Sequence, residues 1–281
     1  MIVLTPAKLN LMLHITGRRA DGYHRLQTVF QFIDLFDEIE LVANFSGQIN
    51  CRNNHLDLEP DKDLVFRAAT LLKSYGQVDN GVDISVKKSI PIGGGLGGGS
   101  SDAAACLLAL NYLWELALDI EQLAVIGLQL GADVPVFIKG QACWAEGVGE
   151  RIEPVILDES VYFVLNPRIN VSTVEIFNAK ELTRNCDPIT IRAFLGGLGQ
   201  NVFEPVVFAR YPEIKAARDW LAQYADVRLT GTGGCLFARF DSKAEAESIK
   251  NRIPDQWQAF IVLAMNSNPV HQQIGSKGEQ N

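Results

Sequence analysis

The chain has 281 residues, 47% of them hydrophobic, which is enough for two domains that each bury a core. Its net charge of −8 at pH 7 argues against general binding to nucleic acid or to anionic membranes, so a phosphorylated ligand would need a local basic pocket. The five cysteines are scattered and the four histidines are isolated, which favours reduced thiols in the cytoplasm over a disulfide framework or a metal centre. The sequence contains no apolar run near the roughly 18 residues of a membrane span, so we expect neither a nucleic-acid nor a membrane partner.

Strand patterns dominate the start of the chain. Residues 7–15 alternate between apolar and polar side chains, which predicts a half-buried strand. A polar loop over 17–25 leads to a second predicted strand at 26–35, and a third is expected after Asp37.

A run of six glycines in seven positions, Gly93 to Gly99, is the strongest local signal. Helix patterns occupy 61–75 and 101–117, and a strand pattern occupies 82–88, so the run joins a strand to a helix. Because glycine lacks a Cβ atom, its backbone can adopt positive φ and approach a ligand closely, and the following helix offers the positive end of its dipole. The run therefore predicts a phosphate cradle.

Two common phosphate motifs fail on specific residues of this run. A Rossmann site needs a second strand that ends in an acidic residue about 20 positions on, but Asp119 opens another helix, predicted over 119–130. A P-loop needs lysine where Ser100 stands. The alternative to a phosphate-binding loop is a flexible linker, and the predicted strand and helix on either side of the run argue against it.

Asp133 follows the end of that helix and precedes an apolar run, 134–137, that we predict to be a strand. The sequence places no cation beside this carboxylate. A boundary at 154–160 then divides the chain into predicted domains 1–156 and 157–281, because the order of elements restarts after it.

The second half interleaves strands and helices. A strand is predicted first, helices follow, and a strand–turn–strand is broken by the segment 231–234; the polar tail is expected to fray. The predicted elements lie at 161–165, 173–182, 201–209, 213–224, 227–240 and 259–265. Such alternation predicts an α/β or α+β protein of two layered domains.

Three segments together resemble the GHMP kinases, named for their galactose, homoserine, mevalonate and phosphomevalonate members. They are Pro-Ala-Lys-Leu-Asn-Leu at 6–11, the glycine run with its flanks at 91–101, and Leu-Thr-Gly-Thr-Gly-Gly at 229–234. The resemblance covers nearly the whole chain. It implies an α+β two-domain GHMP kinase fold, with an N-terminal α/β layer domain that carries the glycine loop, a C-terminal ferredoxin-like α+β domain, and an active site in the cleft between them.

The resemblance also implies the residues of that site. Lys8 and Asp133 would be the catalytic pair: Asp133 takes up the alcohol proton late in the transfer, and Lys8 stabilises the developing oxyanion. ATP would be bound by Pro91, Ile92, Gly93, Gly94, Gly95, Leu96, Gly97, Gly98, Gly99, Ser100 and Ser101, with Lys88 and Asp63 beside the adenosine. The acceptor would be held by Asn10, Tyr23, His24, Phe177, Gly231 and Gly233.

Each of these residues also has a structural explanation. Asp133 could accept amides near a helix end, and Lys8 could be an ordinary strand residue. Tyr23 and His24 could form a local packing clip, Phe177 could be a core side chain, and the segment 231–234 could be only a hairpin turn. Asp102 would repel phosphates, so we expect it to stabilise the first turn of its helix.

Two further stretches, 15–37 and 130–137, narrow the resemblance to members that act on a cytidine-diphosphate-linked polyol. The implied activity is ATP-dependent phosphorylation of the 2-hydroxyl of 4-diphosphocytidyl-2-C-methyl-D-erythritol, in the non-mevalonate route to isoprenoid precursors. Mg²⁺ is expected with ATP, with no metal residue assigned, and the chain is expected to be a monomer or weak homodimer. The alternatives are another small-molecule kinase of the family, acting on homoserine, mevalonate or a sugar, and a nonenzymatic nucleotide-binding sensor.

Overall fold

Two long antiparallel strands, β1 (Ile2–Arg18) and β2 (His24–Asn44), form the spine of the protein. The structure is a computed structural model that describes residues 1–19, 22, 24–53 and 59–278. β1 and β2 pair along nearly their whole length, with shifts of register after Pro6, Asn10 and Ile15. The first of these strands carries Lys8 and Asn10, two of the predicted site residues.

The strands join into one mixed sheet of ten. Its main path runs β3-β4-β2-β10-β7-β9-β8, while β1 and β5 pair with β2, and β6 pairs with β5. The remaining strands are β3 (Ile49–Asn53), β4 (Gly81–Lys87), β5 (Cys143–Gly147), β6 (Arg151–Pro154), β7 (Val161–Asn166), β8 (Val227–Leu229), β9 (Leu236–Phe240) and β10 (Gln258–Met265).

The helices flank this sheet, and a 3₁₀ turn at Pro60–Lys62 precedes the first of them. They are α1 (Leu64–Gly76), α2 (Gly98–Leu113), α3 (Ile120–Leu128), α4 (Val134–Lys139), α5 (Thr173–Phe177), α6 (Ile191–Leu195), α7 (Glu204–Arg210), α8 (Pro212–Leu221), α9 (Lys243–Lys250) and α10 (Val270–Gly278). Within the described ranges, every helix lacks the combination of length and apolar character that crossing a membrane requires.

Separate hydrophobic cores form in the two halves of the chain. In the first, α1 to α4 pack against β2 and β4. In the second, α5, α7, α8 and α9 pack against β7, β8 and β9. A third cluster lies between them, where side chains of β1 such as Leu9 and Met12 meet side chains of β7, β9 and β10. The predicted α+β organisation is confirmed.

The C-terminal segment returns to the N-terminal half. Ala264 and Met265 of β10 pair with Ile33 and Phe32 of β2, and Val270 of α10 belongs to the first core. The predicted domain boundary between residues 156 and 157 stays a prediction. The packing of the C-terminal segment on the N-terminal half is not indicated by the sequence.

β1 is not half-buried, as its alternation predicts, but buried on both faces. The polar side chains Lys8, Asn10 and His14 are all buried. The second half of the chain covers them: the backbone amide of Gln200 donates to His14 Nε2, and Leu13 forms a β-bridge with Asn201. The alternation of apolar and polar residues indicates which face of a strand is polar. Whether that face is buried depends on packing partners that are distant in sequence.

The apolar run after Asp133 is the helix α4, so the predicted strand is wrong. Short apolar runs do not distinguish a buried strand from a buried helix, and Pro135 in the first turn favours the helix. The helix α10 extends to Gly278, into the polar tail for which fraying stays a prediction; residues 279–281 lie outside the described residues.

Candidate active site

The glycine loop leads directly into α2. Gly93, Gly95 and Gly97 have φ of 70°, 77° and 74°, in the left-handed region that side chains disfavour. Gly97 is the N-cap of α2 and provides no side-chain cap. Since the first N–H groups of a helix lack partners within the helix, those at the start of α2 remain available for an anionic ligand.

A second glycine segment packs against this loop. The amide of Cys235 donates to the Gly94 carbonyl at 3.1 Å. A Cβ atom on Gly95 would lie 2.1 Å from the Thr230 carbonyl oxygen, and one on Gly233 would lie 2.1 Å from the Gly95 nitrogen. The contact therefore requires glycine on both sides, which explains why glycines recur near 231–234. That segment is more than a hairpin turn.

Lys8 and Asp133 come together, as predicted. The Lys8 ammonium lies 3.3 Å from Asp133 Oδ2 and also donates to the Gly95 carbonyl at 3.0 Å and to Asn10 Oδ1. Its side chain is 3% exposed, whereas that of Asp133 is 35% exposed. Lys8 is thus a buried cation held beside the loop, and Asp133 is the member of the pair that a ligand can reach.

Asp133 does not cap the helix that follows it. It is the N-cap residue of α4, but its carboxylate makes no capping hydrogen bond. The structural explanation by amide contacts at a helix end therefore fails for this residue, and the carboxylate is left to Lys8 and to the cleft.

Asn10 connects Lys8 to two threonines. Its Nδ2 donates to Thr28 Oγ1 at 2.9 Å, and its backbone amide donates to Thr230 Oγ1 at 3.1 Å. Thr28 in turn donates to the Met12 carbonyl at 2.6 Å. Sequence reasoning missed Thr28, since an isolated threonine in a strand carries no signal; Thr230 lies within the motif at 229–234.

Two of the residues predicted to bind the acceptor, His24 and Phe177, are in contact where β1 ends and β2 begins. The rings of His24 and Phe177 have centroids 5.2 Å apart, and Phe177 packs edge-on against Phe203 at 4.8 Å. Tyr23 lies outside the described residues. Arg184, which sequence reasoning missed, donates to His24 Nε2 at 3.2 Å.

A buried ionic cluster lies beneath the glycine loop. Lys88 donates to the carboxylates of Asp37 and of Asp102, the latter at 2.7 Å. Thr5 donates to Asp102 at 2.6 Å. The expectation that Asp102 stabilises the first helical turn is wrong, because its carboxylate points into this cluster. Burial raises the pKa of Asp102 to about 6, against the opposing effect of the Lys88 ammonium.

Lys88 and Asp63 both have partners within the protein. Burial works against the Lys88 ammonium, but the two carboxylates keep the pKa of Lys88 above its ordinary value. Asp63 is the N-cap of α1 and accepts from the Val65 amide at 2.8 Å. Contacts of these two residues with adenosine stay a prediction.

One cavity of about 590 Å³ collects most of the predicted residues. Its lining includes Lys8, Asn10, Asp63, Lys88, the segment 91–100, Asp133, Phe177 and Gly231. Of the other predicted residues that the structure describes, Ser101, His24 and Gly233 are not part of this lining. Ser101 is buried, and its hydroxyl has no hydrogen-bond partner in the described part of the chain.

The described residues contain no group of three or more His, Cys, Asp or Glu side chains that could hold a metal ion by themselves. Among the side-chain oxygens that line the cavity are the Ser100 hydroxyl, in the first turn of α2, and the Asp133 carboxylate. Mg²⁺ keeps phosphate and water oxygens and needs few protein ligands, so this lining is compatible with it.

Two family models and many curated proteins match this chain. The model of the GHMP kinases N terminal domain matches residues 63–141, and that of the GHMP kinases C terminal domain matches 179–259. A 4-diphosphocytidyl-2-C-methyl-D-erythritol kinase from Nitrosococcus oceani is 51% identical over 93% of both chains. The kinase of the same name from Pseudomonas paraeruginosa is 48% identical over 96% of this chain and 95% of its own.

A solved structure has a similar fold. The crystal structure of a 4-(cytidine 5'-diphospho)-2C-methyl-D-erythritol kinase superposes with a TM-score of 0.83 at 32% identity, over 94% of this chain and 99% of that one. With matches to both family domains and relatives near half identity over almost the full length, the chain belongs to the GHMP kinase family.

Proposed function

We propose that this protein is an ATP-dependent kinase that phosphorylates the 2-hydroxyl of 4-diphosphocytidyl-2-C-methyl-D-erythritol. The observation that carries the chemistry is the Lys8–Asp133 ion pair at 3.3 Å, which borders the same cavity as the glycine loop. The relatives named for this acceptor, at 51% and 48% identity, support the choice of substrate.

The glycine loop is suited to the phosphates of ATP. Its positive-φ glycines and the uncapped start of α2 present backbone N–H groups to an anion without a side chain in between. Ser100 would hold Mg²⁺ together with the phosphate oxygens. When bound, the ion neutralises charge on the phosphoryl group.

Asp133 would receive the alcohol proton. A carboxylate is too weak a base to ionise a free alcohol, so the proton should move late, once the new phosphorus–oxygen bond has made the hydroxyl acidic. The one-third exposure of the carboxylate allows the acceptor to reach it.

Lys8 would stabilise the negative charge that develops in the same step. Its ammonium is fixed by the Gly95 carbonyl and by Asn10, so it needs no reorganisation when negative charge develops on the transferred group and the acceptor oxygen. The same ammonium also holds the Asp133 carboxylate in place through their ion pair.

The acceptor end of the cleft is aromatic. The ring of Phe177 lines the cavity and rests on Phe203 and His24, a surface on which a pyrimidine base could stack for roughly 1 to 3 kcal/mol. Lys8, Asp133, the glycine loop and Phe177 all come from one chain, so a monomer or weak homodimer would suffice.

The direct test is release of ADP in a coupled assay with four acceptors: 4-diphosphocytidyl-2-C-methyl-D-erythritol, homoserine, mevalonate and galactose. We expect turnover with the cytidine-linked polyol and at most background with the others. A higher kcat/KM for one of the other three would transfer the assignment to another kinase of the family. Tight ATP binding without turnover on any acceptor would instead favour the sensor.

A further inference from the structure

One buried carboxylate, that of Asp37 in β2, contacts both ends of the glycine loop. Its Oδ1 accepts hydrogen bonds from the backbone amides of Ser89 at 2.5 Å and Ile90 at 2.8 Å, which lie between the end of β4 and the loop. Its Oδ2 lies against Gly98, the first residue of α2, where a Cβ atom would be only 3.2 Å away. Asp37 itself is fully buried and does not line the cavity.

Lys88 joins Asp37 to a second buried carboxylate. Its ammonium donates to Asp37 and, at 2.7 Å, to Asp102 in the second turn of α2. Thr5 of β1 donates to the other oxygen of Asp102 at 2.6 Å. The three charged side chains are at most 6% exposed, and each has a partner, which is the condition under which buried charges are tolerated. The cluster therefore connects β1 and β2 to the two ends of the loop.

The glycine run between these two ends is costly to order. Residues 93–99 include six glycines, and a glycine loses more conformational freedom on ordering than any other residue. A nucleotide that had to order the run would lose that entropy from its binding free energy. Contacts that fix the loop before the nucleotide arrives therefore raise the affinity for the nucleotide without touching it.

The donors that Asp37 accepts from belong to the approach to the loop rather than to the sheet. Two of them are backbone amides beyond Lys87, the last residue of β4. Ile90 is 2% exposed, so water would not replace a lost partner of its amide. An apolar side chain at position 37 would fill the same space but could not accept these bonds. The carboxylate is therefore needed to fix the segment that leads into the loop.

Building on the proposed ATP-dependent activity, we propose that Asp37 is a positioning residue for the nucleotide: together with Lys88 and Asp102, it fixes both ends of the glycine loop in the conformation that receives the phosphates. Asp37 acts through the amides of Ser89 and Ile90 and through the start of α2, not by contact with a ligand. The quantity it determines is the affinity for ATP, whereas acceptor binding and phosphoryl transfer rely on other residues of the cleft.

Hydrogen exchange tests the free protein without any ligand. Ser89 and Ile90 lie outside the strands and helices, so slow exchange of their amides requires a partner such as the Asp37 carboxylate. We expect both amides to be protected at least about 100-fold in the full wild-type chain and to lose that protection in Asp37→Ala. Exchange at the rate of an unstructured peptide in the wild type would overturn the proposal, and this readout needs no variant.

Steady-state kinetics separate positioning from a general structural role. In Asp37→Ala the two loop amides lose their acceptor, so the KM for ATP and the Kd of a nonhydrolysable ATP analogue should both rise about tenfold to 100-fold. The kcat at saturating ATP and the KM for the cytidine-linked acceptor should stay within about threefold. Asp255→Ala, at an exposed aspartate between α9 and β10, is the matched control and should change none of these quantities. Equal losses of kcat, ATP affinity and acceptor affinity in Asp37→Ala would contradict the positioning role.

Asp37→Asn is the conservative variant. Its amide oxygen can still accept from Ser89 and Ile90, but its NH₂ group cannot pair with the Lys88 ammonium. The KM for ATP should therefore rise less than in Asp37→Ala, by about threefold to tenfold, and the amide protection should largely remain. If Asp37→Ala does not fold, this variant and the wild-type exchange decide the matter. A lower kcat with an unchanged KM for ATP in Asp37→Asn would contradict the proposal.

Failure of the proposed function is distinguishable from failure of this inference. A wild-type chain that bound the ATP analogue but phosphorylated no acceptor would remove the assignment as a kinase, while exchange and nucleotide titrations would still report on Asp37. Conversely, equal nucleotide affinity in the wild type and in folded Asp37→Ala would overturn the positioning role and leave the kinase assignment intact.

Discussion

The ammonium of Lys8 and the carboxylate of Asp133 lie 3.3 Å apart, although Lys8 belongs to the first strand of the sheet and Asp133 to the turn before α4. Two long-range contacts fix this geometry. The backbone of Lys8 donates to the Leu96 carbonyl of the glycine loop at 2.9 Å, and α4 packs into the same core as α2, which begins at that loop. The pair and the glycine loop are therefore held as one unit.

Asp133→Asn tests the proposed role of Asp133 as proton acceptor. The amide keeps the shape of the side chain but cannot take up the alcohol proton, so kcat should fall by roughly 10²- to 10⁴-fold with ATP affinity largely kept. Steady-state ADP release and a nucleotide titration measure the two quantities. Asp158→Asn, at an exposed aspartate, is the control and should leave both unchanged. Near-normal turnover in Asp133→Asn would remove the assignment.

Lys8→Met tests the buried cation. Methionine fills a similar volume but leaves Asp133 and the Gly95 carbonyl without their donor, so kcat should fall by roughly 10²- to 10³-fold, as for loss of an oxyanion donor. Lys139→Met removes a lysine that pairs with Glu121 on the surface and should have little effect. Equal losses of kcat in Lys8→Met and Lys139→Met would contradict the proposed role of Lys8.

Gly95→Ala tests the contact between the two glycine segments. The new Cβ would lie 2.1 Å from the Thr230 carbonyl at a residue with φ of 77°, so both the contact and the backbone conformation oppose it. We expect a loss of at least about 1 to 3 kcal/mol in the free energy of unfolding and a higher KM for ATP. Gly275→Ala, in α10 with open space around it, should be neutral or slightly stabilising. Equal stability of the two variants in denaturant titrations would contradict the packing argument.

Asp102→Asn tests the buried cluster through pH. The pKa of Asp102 is raised from 3.8 to about 6, so between these values the folded protein binds a proton that the unfolded chain has released. The resulting stabilisation is complete below about pH 4 and is lost as the pH rises through about 6.

The variant does not titrate at this position, so its stability relative to the wild type should increase from pH 4.5 to pH 8. Unfolding free energies at several pH values check this, with Asp226→Asn, at an exposed aspartate, as the control. A constant difference between Asp102→Asn and the wild type across that range would show that Asp102 is ionised throughout.

The local features of the site were predictable from the sequence because they depend on neighbouring residues. The glycine run, the helix that follows it and the strand before it are all present, since turn chemistry and periodicity are encoded within a few positions. The meeting of Lys8 and Asp133 was predictable only through the family resemblance, because spacing alone does not bring two distant segments together.

What could not be predicted depends on tertiary context. The apolar run of α4 suits a strand as well as a helix. Asp102 is close to the glycine run in sequence, but its partners Lys88 and Thr5 reach it only in the fold. Arg184 belongs to no motif. Its four hydrogen bonds, to His24 and to three backbone carbonyls, form only in the folded chain.

A crystal structure with a nonhydrolysable ATP analogue and the cytidine-linked acceptor bound together tests the roles of Lys8 and Asp133. We expect the acceptor's 2-hydroxyl oxygen to lie within hydrogen-bond distance, about 2.6 to 3.2 Å, of the Asp133 carboxylate and beside the Lys8 ammonium, in line with the terminal phosphate. An acceptor hydroxyl that lies beyond the reach of both side chains, with the nucleotide correctly seated on the glycine loop, would contradict it.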